Sequence, residues 1–264
     1  MVQEIKNELE LALVQTDVFW EDVDANLNHL GVILKNLKST TDVVILTEAF
    51  TSGFSMDAKK VAQNLDGKAL VWMKEIAVQK NVAVCGSLFV FENAKYYNRF
   101  VWVFPNGEMQ FYDKRHLFSI EKENVNYSCG KSQLLIEYKG WKIFPQICYD
   151  LRFPVWARNT MGYDLMINVA NWPAARSEVW KTLLKARAIE NQCYVAAVNR
   201  VGTDKNPIEH SGDTMIVDYK GQVTHNAYSE QIILCGSVSL DALHTFRKKF
   251  NTLIDADRFT IEIE

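Results

Sequence analysis

Three residues whose side chains suit acyl transfer stand at the ends of three apolar runs. Cys148 follows the run Ile143–Ile147 and precedes Tyr149-Asp150-Leu151-Arg152-Phe153-Pro154. Pro154 fits the first turn of a helix, where its missing N–H is not needed. The segment therefore reads as a sharp strand-to-helix elbow. Such an elbow exposes a nucleophile at a sheet edge and points N–H groups of the next turn at the reacting atom, where they can hold an oxyanion. The competing reading is a buried structural cysteine, a small hydrophobe. Glu48 closes the apolar run Val43–Thr47. A carboxylate there faces the crevice in which α/β sheets bind ligands, unless it is a solvated strand-end charge. Lys114 ends Met109-Gln110-Phe111-Tyr112-Asp113 in the same way, and by itself a surface lysine reads as well.

A thiol is a weak nucleophile at neutral pH unless a neighbour lowers its pKa or takes its proton. The histidines are His29, His116, His210, His225 and His244. None has a local context that marks a base. His116, in Asp113-Lys114-Arg115-His116-Leu117-Phe118, comes nearest, so a Cys148–His116 pair is a competing arrangement. The remaining cysteines, Cys85, Cys129, Cys193 and Cys235, form no Cys-x-x-Cys unit and no zinc-ligand spacing.

The elements that must position these residues alternate along the chain. Residues 9–14, 42–48, 81–90, 164–170 and 193–200 read as strands. Val23, Leu27, Leu30, Leu34 and Leu37 share one helix face over 22–38, and 68–80, 153–161 and 175–191 also read as helical. Hairpins are expected over 99–114 around Pro105-Asn106-Gly107, over 134–150 around Lys139-Gly140, and over 214–225 around Lys220-Gly221. Residues 239–250 can begin as a helix capped by Ser239 or Asp241. Strands that alternate with helices yet also form hairpins imply mixed sheets with helices packed outside. No stretch reads as a linker, so residues 1–264 are expected to form a single domain.

Composition bounds the function. Of the 264 residues 48% are hydrophobic and 23% charged, which gives a large core. The net charge of −3 provides no basic stripe for a phosphate backbone, so no nucleic-acid partner is expected. No apolar run approaches the ~18 residues of a membrane span, and the N-terminus has no signal-peptide core. A cytoplasmic protein with reduced thiols is expected.

Taken together, LTEAFTSGF, YDKRHLF, QICYDLRFPVWARN and NWPAARSEVWKTLLKARAIENQCYVAAVNRVG resemble the nitrilase superfamily of carbon–nitrogen hydrolases over nearly the whole chain, and GDTMIVDYKGQV resembles its closing hairpin. The resemblance implies a four-layer α-β-β-α sandwich of two mixed β-sheets with helices outside. It implies Glu48 as general base, Lys114 as oxyanion stabiliser assisted by the N–H of Tyr149, and Cys148 as the nucleophile that forms a thioester. A further acid is usual; Glu123 fits its place, with Glu121 close by. No metal or organic cofactor is implied.

Within the superfamily the chain is most similar to the omega-amidase branch, which hydrolyses the terminal amide of 2-oxoglutaramate and 2-oxosuccinamate to a dicarboxylate and ammonia. The far carboxylate of such a substrate needs a cation. Arg176 is the candidate and Arg152 the alternative. Tyr149 and Trp172 are expected to wall the pocket, with Phe50 and Phe118 as weaker candidates. The partners expected are a small-molecule amide, water and a second copy of the chain, paired through 153–161 and 175–191. The competing functions are an amidase for deaminated glutathione or an N-carbamoyl compound, and an inactive scaffold of the same fold.

Overall fold

The apolar runs fill both faces of two central sheets, and each face has its own cover. The computed structural model describes residues 5–263. The first half of the chain contains β1 (Glu8–Gln15), α1 (Val23–Ile33), β2 (Val43–Ile45), α2 (Ala58–Val61), α3 (Lys68–Lys80), β3 (Ala83–Glu92), β4 (Lys95–Val103), β5 (Met109–Asp113) and α4 (Glu123–Asn126). There follow β6 (Ile136–Tyr138), β7 (Trp141–Ile147), α5 (Pro154–Ala157), β8 (Leu165–Val169), α6 (Ser177–Asn191) and β9 (Tyr194–Val198). The chain then adds β10 (Val201–Thr203), β11 (Glu209–Ser211), β12 (Met215–Val217), β13 (Val223–Asn226), β14 (Ile232–Ser239) and α7 (Leu240–Lys249).

One six-stranded sheet has the order β14-β1-β2-β3-β4-β5, the other β13-β12-β9-β8-β7-β6, and β10-β11 is a small separate ribbon. In each large sheet the three central strands run parallel, β1-β2-β3 and β7-β8-β9, and antiparallel strands flank them. Because side chains alternate along a strand, odd and even positions enter different layers. Ile143, Ile147, Leu165, Ile167 and Val169 of the second sheet pack with Leu11, Leu13, Val43, Ile45 and Trp102 of the first. The intervening Phe144, Met166 and Val195 face Trp180, Leu184 and Ala188 of α6. On the far side of the first sheet, Val44, Val84 and Val101 pack under Leu27 and Leu30 of α1 and Leu70, Met73 and Ala77 of α3. The layers are therefore α-β-β-α, as expected.

Several boundaries differ from the sequence reading. The run 42–48 is a strand for three residues, and Glu48 sits beyond its end in a turn where Ala49 has φ +45°. Of 153–161, Pro154–Ala157 is helical; beyond it the Asn159 side chain bonds the main chain of Tyr163 and Asn191, which replaces helical bonding. Strand β14 and the β10–β11 ribbon have no counterpart in that reading. β14 pairs along its whole length with β1, over two hundred residues away in the chain, so its pairing has no local signature. The hairpin turn at Lys139-Gly140 is as expected, with φ of 49° and 82° at its two residues.

The burial of α6 can be tested directly. Leu184 is fully buried between α6 and the second sheet. Leu184→Ala should lower unfolding stability by about 2–5 kcal/mol, read as a fall in the urea midpoint. Truncating the exposed neighbour Lys185 to alanine should leave the midpoint within about 0.5 kcal/mol of wild type. Equal effects would contradict the layer assignment.

Candidate active site

The three residues singled out by type emerge from different strands at one end of the two sheets. Glu48 follows β2, Lys114 follows β5, and Cys148 follows β7. Ile147 is in register with Val169 of the parallel neighbour β8, so Cys148 and Ala170-Asn171 leave the sheet side by side. This is the crevice beyond the carboxyl ends of parallel strands, where α/β sheets bind ligands.

Glu48 and Lys114 are wholly buried, and Lys114 Nζ lies 2.9 Å from Glu48 Oε1. The same ammonium lies 3.1 and 3.0 Å from the two carboxylate oxygens of Glu123, which is also fully buried. Of the two acids close in sequence, Glu123 is the one that meets Lys114. Glu121 is exposed and stands at the pocket mouth. The main-chain N–H of Phe118 donates to Glu123 Oε2 at 2.6 Å, and that of Asn171 donates to Glu48 Oε2 at 2.8 Å. The Asn171 side chain also donates to the Glu48 carbonyl oxygen at 2.5 Å, tying the turn after β2 to the strand end of the other sheet. The Asn98 amide, on β4, donates to Glu48 Oε1 at 2.9 Å and to Glu123 Oε1 at 3.2 Å.

Cys148 is the first residue of a short 3-10 turn over 148–152 and has φ +45°. A non-glycine residue held in that region costs of order 1–3 kcal/mol and persists where its surroundings over-determine it. Asp150 supplies the bracing. It is fully buried, and its carboxylate accepts from the N–H of Ile147 at 3.1 Å and the Tyr112 hydroxyl at 2.8 Å. It also accepts from the main chain of His116 at 2.9 Å and contacts His116 Nδ1 at 2.8 Å. His116 is therefore part of the brace, with its ring stacked on Phe153 at 3.7 Å, and it does not line the pocket. The Cys148–His116 arrangement is not what the fold builds.

The half-buried Cys148 lines the same pocket as Glu48, Lys114 and Asn171. Burial pushes the thiol well above its ordinary range, and the Glu48 carboxylate adds to this. Lys114 and the Asn171 N–H pull the other way without reversing it. The balance favours a protonated thiol beside a carboxylate. For Lys114, burial alone disfavours the charged form, but Glu123, Glu48 and Cys148 outweigh it and raise the pKa above the lysine range. Glu123 is raised above the carboxylate range by burial and by Glu48, against the opposing pull of Lys114.

Glu48, Lys114 and Cys148 form the floor of a small pocket with a cavity of about 60 Å³. Tyr149, Trp172, Arg176 and the alternative cation Arg152 all line it, as does Phe118. Phe50 does not; it is buried under α3 against Trp72. The Arg152 guanidinium stacks 5.0 Å from the Trp172 ring centroid and that of Arg176 lies 5.6 Å from Phe118. Among the described residues, neither arginine has a carboxylate in ion-pair contact.

Sequence reasoning missed Phe54, Asn98, Asn171 and the wall formed by Asp204, Ile208 and His210. A lone amide inside the aromatic strand KYYNRFVWV was the available signal for Asn98. His210 is buried, and burial together with nearby Arg200 lowers its pKa to about 4, so it is neutral at physiological pH. Nothing local to residues 204–210 announced that they fold over this pocket.

Residues 10–248 match the family model described as carbon-nitrogen hydrolase. The chain is 43% identical over 255 residues to omega-amidase YafV of Escherichia coli, covering 96% of this chain and 98% of that protein. It is 32% identical over 235 residues to the 2-oxoglutaramate amidase of Bacillus subtilis, covering 87% and 90%. A CN-hydrolase superfamily protein from Xanthomonas campestris, solved with an arsenic adduct in its active site, superposes with a TM-score of 0.95 at 41% identity, covering 97% of this chain and 100% of that one. A Saccharomyces cerevisiae member of branch 10 of the nitrilase superfamily shares the fold, with a TM-score of 0.85 at 23% identity, covering 94% and 96%.

The electrostatics of the thiol give a measurable expectation. The pH dependence of Cys148 alkylation by iodoacetamide should place its titration above that of a free thiol. Glu48→Gln, which removes a neighbouring negative charge, should move that titration to lower pH. A titration that stays put or moves upward in the variant would contradict the arrangement.

Proposed function

The chain belongs to the carbon–nitrogen hydrolase family, and we propose that it hydrolyses the terminal amide of small 2-oxo acid omega-amides through a thioester on Cys148. The observation that carries this reading is the convergence of a carboxylate, an ammonium and a thiol on the floor of a pocket whose wall holds two guanidinium groups with no carboxylate partner among the described residues. The relatives named omega-amidase and 2-oxoglutaramate amidase support the amide class and the far carboxylate.

In the proposed cycle Glu48 takes the proton of Cys148 as the sulfur adds to the amide carbon. The carbonyl oxygen becomes an oxyanion beside Lys114 Nζ, with the N–H of Tyr149, in the first turn after the elbow, as second donor. Glu48 then passes its proton to the nitrogen, the C–N bond breaks, and ammonia leaves a thioester. Water enters, Glu48 takes one of its protons, and the hydroxide oxygen adds to the thioester carbon. The tetrahedral species collapses to the carboxylic acid, and the proton returns to the sulfur. Lys114 stays protonated throughout, which its contacts with two carboxylates favour. Glu123 holds the ammonium and accepts the Phe118 N–H, so it positions Lys114 and takes no proton from substrate in this scheme.

Arg176 and Arg152 would take the far carboxylate, and the rings of Tyr149 and Trp172 the carbon chain between. Both guanidinium groups already lie over aromatic faces, which limits their motion without using their N–H donors. In this proposal residues 1–264 act as one catalytic unit in the cytoplasm. Val155, Val179 and Ile189, exposed on α5 and α6, are the apolar side chains that pairing into a homodimer would cover.

Two measurements test the proposal. Cys148→Ala should lower ammonia release from 2-oxoglutaramate about a thousandfold or more; a folded variant with near wild-type rates ends the thioester mechanism. Arg176→Ala should raise KM for the same substrate about tenfold, the loss of one charge-assisted contact, with kcat less affected. An unchanged KM removes Arg176 from carboxylate binding. A panel that also contains glutamine, asparagine and deaminated glutathione identifies the substrate class, because a different best substrate displaces the 2-oxo-amide reading.

A further inference from the structure

Asn98 is fully buried on β4 and sits between the two carboxylates of the site. Its amide nitrogen donates to Glu48 Oε1 at 2.9 Å and to Glu123 Oε1 at 3.2 Å. Both N–H donors of one amide are thereby spent on two acids that also share one ammonium, Lys114. The amide cannot turn over, because Asn98 Oδ1 accepts from the Ser87 hydroxyl at 2.9 Å. Ser87 is itself oriented, because its oxygen accepts from the N–H of Ala49, the residue after Glu48. The chain of bonds runs from Ala49 N–H through Ser87 and Asn98 and returns to Glu48, closing a loop around the turn that carries this carboxylate.

We propose that Asn98 is a positioning residue for Glu48: its Ser87-locked amide holds Oε1 of Glu48 beside Glu123 and Lys114 and so fixes the carboxylate on the side of the pocket that carries Cys148. The proposal rests on the reading of Glu48 as the base. Oxygen Oε1 is held by Lys114 and Asn98, and Oε2 by the Asn171 N–H beside the sulfur. The charged and titratable groups that face this cluster are Lys114, Glu123 and Cys148, with Tyr127 beyond Glu123. The neighbouring Arg99 is committed to Asp113 and Glu92 and takes no part. A neutral donor is what the position requires. It favours both carboxylates in their charged forms, whereas another acid would add a third negative charge and another base a second cation next to Lys114.

The sign of the effect follows. Without the amide donors the two acids bind protons more readily, so the active base is lost at a higher pH as the solution is acidified. In Asn98→Ala the acid limb of the kcat–pH profile should move up by about 1 pH unit. At the optimum kcat should fall about tenfold while KM stays within about threefold. Ser87→Ala keeps the Asn98 amide but frees it to rotate, and should move the limb the same way by a smaller amount. If Asn98→Ala does not fold, as judged by its thermal melt, the Ser87→Ala limb decides. An acid limb that coincides with wild type in the folded variants, or a loss confined to KM, overturns the proposal. Glu48→Gln measured alongside separates the two levels. If it is inactive while the Asn98 limb has not moved, the positioning role alone fails. If it retains activity, Glu48 is not the base and the proposal falls with it.

Discussion

An ammonium buried between two carboxylates is the constraint around which this end of the molecule is organised. Lys114 has no exposed side-chain surface, and neither do Glu48 and Glu123. Removing such ions from water costs several kcal/mol each, and their attraction compensates only where geometry is good and the remaining donors and acceptors are met. That condition is largely satisfied. The carboxylates collect N–H donors from Phe118, Asn171 and Asn98, and the Lys114 ammonium meets three oxygens at 2.9–3.1 Å. The cluster has a single cation for two acids. Neutral amides make up the difference, which explains why asparagines rather than further charges surround it.

Two sheets are needed to hold such a cluster. Glu48, Asn98 and Lys114 belong to the first sheet, Cys148 and Asn171 to the second. The layer of Leu11, Ile45, Trp102, Ile143, Ile147 and Ile167 between them fixes their separation. The bonds from Asn171 to Glu48 cross the same gap at its open end. Apolar packing sets the distance, and a few polar bonds set the angle. The positive φ at Ala49 and at Cys148 occurs at the two turns where the chain leaves its strand to present a functional group. At Cys148 the conformation is held by Asp150, whose carboxylate gathers donors from the elbow, from Tyr112 and from His116.

The charge pattern of the pocket differs between floor and wall. At the floor every formal charge has a partner within about 3 Å, so the field at the thiol is set by the balance among them and tips toward the protonated form. In the wall Arg152 and Arg176 are stacked on rings and keep their N–H groups available. Paired charge is thus concentrated where solvent is excluded, and the ring-stacked guanidinium groups lie along the wall. The neutral His210 and the acids Asp204 and Glu121 complete the rim.

The sequence by itself determined most of the elements and which candidate groups stand at the ends of their strands. Apolar periodicity marked the central strands and the helices expected over 22–38, 68–80 and 175–191, and glycine-containing turns marked three hairpins, because these signals are local. The strand-end placement of Glu48, Lys114 and Cys148 was visible for the same reason, and the motifs around them specified the family. What tertiary structure alone decided is everything that depends on separation in space. Glu123 and Glu121 are two residues apart and chemically equivalent on paper, yet one is buried on Lys114 and the other exposed. Phe50 and Phe118 both neighbour site residues in sequence, and one of them went to the core. His116, which came nearest to a base among histidines with no context marking one, contacts Asp150 in the brace of the elbow. Asn98 is marked only as an amide among aromatic residues and Asn171 not at all, because a hydrogen-bond partner 50 or 123 residues away leaves no trace in the residues on either side. Short-range pattern fixes which groups a chain can present, and long-range packing fixes which of them meet.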